Sequence, residues 1–126
     1  MWINSCHGNL KPETLDTAII SFKKNMYKSM TSVTKLSSWI YNNNGEPINN
    51  KNSKTQTITQ NSNAIYVVAH AFHVFQKDHF FNTASYWSNK INDPFLYQIN
   101  DIEALDVDTE EDFLISDSVY KRNNNC

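Results

Sequence analysis

Carboxylates crowd residues 102–115, "IEALDVDTEEDFLI", at Glu103, Asp106, Asp108, Glu110, Glu111 and Asp112, and an apolar run follows them. Asp106 and Asp108 are the pair whose spacing could do chemistry. If "EALDV" (103–107) runs as a strand, residues i and i+2 share a face. Both carboxylates then project together at the strand's C-terminal end, where open α/β sheets place their ligands. Two such groups about 5 Å apart repel by about 3 kcal/mol at an effective dielectric near 20, and by about 1 kcal/mol in water. Enclosed in a cleft, the pair calls for a cation. Magnesium fits, because it uses one or two carboxylates together with substrate phosphates. The same residues have a second reading. Asp108 as N-cap with Glu111 at N3 would form a capping box opening the last helix. The two readings are compatible, with Asp106 carrying metal and Asp108 sharing duties. A calcium loop is excluded, because the sixth position counted from Asp106 is Glu111 where that loop needs glycine.

Other candidates carry less chemistry. His70 and His73 form HxxH in "AHAFHVF", but on a strand i and i+3 point oppositely, which favours satisfied or partly exposed histidines over a chelate. Lys35 and Lys54 could meet an anionic ligand, although isolated lysines near turns ordinarily face water. Cys6 and Cys126 lie near opposite ends with no CxxC pairing, so neither a disulfide framework nor a zinc site is expected. The glycines are Gly8 and Gly45 alone. Phosphate-cradling loops need glycines for close backbone approach, so no nucleotide pocket is legible. No Ser/His/Asp or Cys/His set has a spacing that suits nucleophilic catalysis.

The elements that must position these residues alternate. "MWINS" reads as a short strand. "KPETLDTAIISFKKNMY" reads as a helix, with Pro12 at a first helical position, Glu13 and Asp16 toward its N-terminus and Lys23 and Lys24 toward its C-terminus. Leu15, Ile19, Phe22 and Met26 form its apolar stripe. "KSMTSVTKL" follows as a strand. Residues 39–60 turn polar around Asn44-Gly45, a turn signal, and read as a projecting hairpin arm. "NAIYVVAHAFHVF" is a strand, "KDHFFNTASYW" a short helix with a loop, "PFLYQI" and "EALDV" strands, and "TEEDFLISDSVYKR" the closing helix. The pattern implies an α/β layered domain with a mixed sheet. A chain that opens on a strand leaves a sheet edge uncovered, and reads like half of something larger.

Composition agrees with a single domain of 126 residues with enough apolar side chains for a core. A net charge of −2 offers no broad basic surface, so nucleic acid is not an expected partner. No apolar run reaches membrane-spanning length and no secretion signal opens the chain, so a cytoplasmic location without membrane insertion is expected.

Taken together, several segments resemble the acylneuraminate cytidylyltransferase (CMP-sialic acid synthetase) family. "NDIEALDVDTEEDFLISDSVYK" resembles the family's "EAIDIDxxEDF" segment near its C-terminal end. "WINSCHGNLKPETLDTAI" is similar to its mid-chain strand and helix, "SMTSVTK" to the next strand, "KTQ" to its RTQ, "HAFHVF" to the sugar-side strand and "DPFLYQI" to the penultimate one. The resemblance implies a three-layer nucleotidyltransferase-like fold, truncated here to its C-terminal half (residues 1–126), with the 39–60 arm dimerising. It implies an enzyme that joins CTP to a nonulosonic acid, the sugar's anomeric hydroxyl attacking the α-phosphorus and releasing pyrophosphate. On that pattern Asp106 and Asp108 are catalytic magnesium ligands. Lys54 and Gln56 stand at the arm's basic position beside the sugar acid of a partner subunit, and residues 69–73, with Phe72 and His73, line the sugar pocket. The family's glycine-rich CTP loop has no counterpart in the sequence. "NSCHGN" lacks the family's proline, Lys54 replaces its arginine, and Ala69-His70 replace Asn-Gly. A separately encoded N-terminal half is therefore expected for catalysis. The alternative is a non-catalytic remnant that serves as a dimerisation or binding module.

Overall fold

Helix formation after the first strand follows from local chemistry. Pro12 sits at the first helical turn, Glu13 meets the positive end of the helix and Lys23 and Lys24 its negative end, giving α1 (Pro12–Asn25). Ala18 is fully buried, and Leu15 and Phe22 pack beside it against the core. Ile19 is half-buried. Met26 does not complete the stripe. It ends the helix in the left-handed conformation at φ 51°, its N–H bonded back to Lys23 and Phe22, and its side chain is 81% exposed.

The computed structural model describes residues 1–49 and 63–124. Among them stand β1 (Trp2–Ile3), β2 (Ser29–Leu36), β3 (Ile65–Phe75), α2 (Lys77–Thr83), β4 (Phe95–Gln98) and α3 (Glu110–Asn124). They form a small α/β domain whose mixed four-stranded sheet runs β1-β3-β2-β4. β1 pairs antiparallel with β3, Trp2 opposite His73, and β2 pairs parallel with β4, Met30 opposite Phe95. Two compact units divide the chain, Met1–Thr34 with Val68–Cys126, and Lys35–Val67.

In the first unit, Ser29 to Val33 and Ala71 to Val74 are buried at every position rather than alternately. Such runs are covered on both faces, as central strands are. Met30, Ala71, Phe72, Val74 and Ile99 form the core with Ala18, and Tyr27 stacks on Phe95 at 4.1 Å between centroids. His70 interrupts the pleat of β3 with φ 56°. The irregularity is served by Ser32 on β2, whose Oγ accepts from the backbone N–H groups of Ala71 at 3.0 Å and Phe72 at 3.1 Å. The break has a consequence for the HxxH pair. Strand alternation would separate His70 and His73, yet their rings meet, Nδ1 of His70 lying 3.3 Å from Nε2 of His73.

The expected strand over 103–107 does not form. Residues 101–104 make a hydrogen-bonded turn and 105–108 run irregularly. Glu103 is the reason. Its carboxylate is buried and accepts from Lys11 N, Thr14 Oγ1 and Asn100 Nδ2, while its own N–H donates to Asn100 Oδ1. Clamping Glu103 to the start of α1 satisfies a buried charge, and pairing 103–107 into the sheet would give that up.

In the second unit, Tyr41 and Pro47 bridge antiparallel across the Asn44-Gly45 turn. Asn42 Oδ1 accepts from the N–H groups of Asn44 and Glu46, and Gly45 takes φ 81°, a left-handed value suited to glycine. The hairpin tip read from the sequence is present. The rest of the expected arm, with Lys54 and Gln56, lies outside the described residues.

Candidate functional site

The loop after β1 and the segment before α3 are stapled together. Val107 N–H donates to the carbonyl of Cys6 at 3.1 Å, and Asn9 Nδ2 donates to Ser116 Oγ at 2.7 Å. Cys6 is itself held by its N–H on Asn4 Oδ1. Because Val107 lies between Asp106 and Asp108, the staple sets Cys6 beside both. One oxygen of each carboxylate and the Cys6 sulfur all lie within 4.8 Å of one another. Cys6 is half-buried, Asp108 is exposed and the Asp106 side chain keeps 39% of its surface open.

Capping does not consume Asp108. The box that opens α3 is set one residue later than expected. Thr109 Oγ1 accepts from the N–H of Asp112, and Asp112 Oδ2 accepts from the N–H and Oγ1 of Thr109. Hydrogen bonds from Thr109 hold the Asp112 carboxyl below the ordinary aspartate range, against a slight upward push from burial. Asp106 and Asp108 share their position near one point through the turn and the staple, not through strand alternation.

His7 completes the arrangement. Its side chain is fully buried, and Nε2 lies 3.0 Å from the carbonyl of Ala69. A carbonyl only accepts, so Nε2 carries a proton. The other nitrogen, Nδ1, faces Asp106 Oδ1 at 3.7 Å. Among the described residues, neither of these two buried atoms has a hydrogen-bond partner. His7 thus connects Asp106 to the start of the 69–73 stretch. Beside the cluster opens a cavity of about 440 Å³, with Cys6, Val107, Phe113, Asp117 and Tyr120 among its walls. That volume suits a small molecule.

Phe72 and His73, the expected sugar-side residues, are enclosed by this chain's own side chains. Phe72 has no exposure and tilts against Tyr97. His73 lies between stacked rings of Trp2 at 5.1 Å and Tyr86 at 5.6 Å, with Trp87 edge-on. Its Nδ1 meets Thr31 Oγ1 at 2.8 Å. Burial, and then the neighbouring His70, push its imidazolium down to about 4. Asp93 is a second buried carboxylate. Burial pushes it up, but hydrogen bonds from Ser29 and Ser88 outweigh that and hold it below the usual range.

Sequence reasoning treated Cys6 as an isolated thiol and did not weigh His7. The signal was the Cys-His dipeptide at the end of an apolar opening, which becomes meaningful only beside the distant acidic segment. No protein-family model matches the sequence, and no curated protein matches it significantly.

Proposed function

We propose that these residues are the metal-bearing, sugar-side part of a cytidylyltransferase-like site. The observation that carries the reading is the convergence of the Asp106 and Asp108 carboxylates, with Asp108 left uncapped. Two carboxylates fit magnesium, a hard cation that prefers oxygen donors and leaves positions for phosphate. The unpartnered Asp106 Oδ1 is an oxygen of the kind such an ion takes up. Magnesium held there would supply positive charge to phosphate oxygens during transfer of a nucleotidyl group to a nonulosonic acid. The chain's own part is to hold the two carboxylates together. The Cys6–Val107 bond fixes their backbone, and Glu103 anchors the turn before them. Among 126 residues there are two glycines, so a glycine-rich grip on CTP has to come from residues outside this sequence, on the same or another polypeptide.

The test is binding of Mn²⁺ as a magnesium substitute, followed by water-proton relaxation. Asp108→Ala abolishes binding on this reading and Glu110→Ala leaves it intact. Equal losses in the two variants refute it. With CTP and sialic acid, the chain alone should form no CMP-sugar.

The second reading, a non-catalytic dimerisation or binding module, is favoured by α3. Phe113, Leu114 and Ile115 are each more than half exposed on that helix, a larger apolar exposure than scattered single residues. A dimer that forms equally well when Asp106 and Asp108 are both changed to Asn, with no Mn²⁺ bound by the unaltered chain, would select it.

A further inference from the structure

We propose that Cys6, Asp106, Asp108 and His7 form a site for a thiophilic divalent cation of the zinc class. The cation would compete with magnesium for the shared aspartates. The proposal uses the two donors that the magnesium reading leaves idle, and it shares two ligands with that reading without depending on any nucleotidyl transfer.

Donor chemistry comes first. A thiolate and an imidazole nitrogen are poor magnesium ligands and good zinc ligands, whereas carboxylates serve both ions. Geometry agrees. Tetrahedral zinc, with Zn–N and Zn–O near 2.0–2.1 Å, holds its N and O donors about 3.4 Å apart. His7 Nδ1 and Asp106 Oδ1 stand 3.7 Å apart. Cys6, Asp106 and Asp108 offer donor atoms within 4.8 Å of one another, and His7 joins that group through Asp106.

His7 is the independent observation. With Nε2 directed at the Ala69 carbonyl, Nδ1 is turned toward Asp106 Oδ1, and among the described residues neither of these buried atoms has a hydrogen-bond partner. A buried polar atom without a partner is ordinarily costly, on the order of 1–3 kcal/mol. A cation between them satisfies both. The carbonyl partner on Nε2 is also the arrangement that metal-bound histidines use to fix their tautomer. Binding converts the Cys6 thiol to thiolate, so about one proton leaves to solvent for each ion bound.

Cobalt(II) titration is the decisive experiment, because cobalt replaces zinc and reports its ligands. It is done in the full chain and in a Cys126→Ser background that removes the other thiol. The expected result is a one-to-one complex with near-ultraviolet sulfur-to-cobalt charge-transfer absorption, abolished by zinc. Cys6→Ser removes that absorption and weakens zinc binding by on the order of tenfold or more. Asp108→Asn, at an exposed position that does not threaten folding, weakens it similarly. His7→Gln shifts the visible ligand-field bands. Cobalt bound without the sulfur absorption overturns the proposal, and if Mn²⁺ binding persists the magnesium reading survives that failure. Absence of both Co²⁺ and Mn²⁺ binding removes both. Sulfur absorption with no Mn²⁺ binding upholds the thiophilic site and removes only the magnesium reading.

Discussion

Thr109 and Asp112 cap each other, the Thr109 hydroxyl accepting from the Asp112 N–H at 3.2 Å and donating to its carboxylate at 2.7 Å. The exchange starts α3 without using the Asp108 side chain. Helix capping and the proposed cation binding therefore fall on neighbouring residues that mutation can separate. Thr109→Ala is expected to cost about 1 kcal/mol of folding stability, read as a lowered urea midpoint, with cation affinity unchanged. Asp108→Ala should do the reverse.

Glu103 is a buried structural carboxylate in an acidic stretch whose other members are partly or fully exposed. Glu103→Ala leaves donors on Lys11, Thr14 and Asn100 without their acceptor, and should cost on the order of 3 kcal/mol. Glu110→Ala and Glu111→Ala at exposed positions should each fall within about 0.5 kcal/mol of the parent. Chemical denaturation of the three variants checks the ranking.

Ser32 accepts two backbone N–H groups at the irregularity around His70. Ser32→Ala strands both in the core, where Ser32 has no exposure. A loss of about 2–4 kcal/mol is expected. Amide hydrogen exchange should quicken first at Ala71 and Phe72.

His73 makes stability depend on pH. Its folded value lies near 4 against an ordinary 6.5, so between those values the unfolded chain binds the extra proton. Stability from this residue is complete above about 6.5 and declines as pH falls toward 4. The Asp93 carboxyl, held below 3.8, contributes in the same direction at lower pH, losing its stabilisation as pH falls below 3.8. Urea midpoints measured across the window should slope upward with pH. His73→Phe should flatten that slope between 4 and 6.5, and a slope that survives the substitution would assign it elsewhere.

The dimerising role that the resemblance implies for the 39–60 arm is open to direct measurement. Light scattering is expected to give twice the chain mass. A monomer mass at every concentration tested would leave the arm without that role.

The sequence by itself determined the elements whose signals are local. Pro12, Glu13 and the paired lysines dictate α1, Asn44-Gly45 dictates the hairpin tip, and the β-branched and hydroxyl-rich run of β2 dictates a strand. These follow from propensity, capping and turn chemistry acting within a few residues. The α/β class, with a mixed sheet, was legible for the same reason. Asp106 and Asp108 could be singled out, but not the means that hold them together.

Tertiary structure decided what depended on partners far along the chain. Glu103 reads like its acidic neighbours until α1 supplies donors from residues 11 and 14, and that union turns an expected strand into a turn. His70 and His73 read as divergent until Ser32, from another strand, supports a break in the pleat. Cys6 and His7 carry no spacing signal toward residues a hundred positions away. Hydrogen bonds from Val107 to Cys6 and from Asn9 to Ser116 hold them beside Asp106 and Asp108. Periodicity records only which way a side chain faces its own element, whereas burial and hydrogen-bond satisfaction are settled by whatever packs against it.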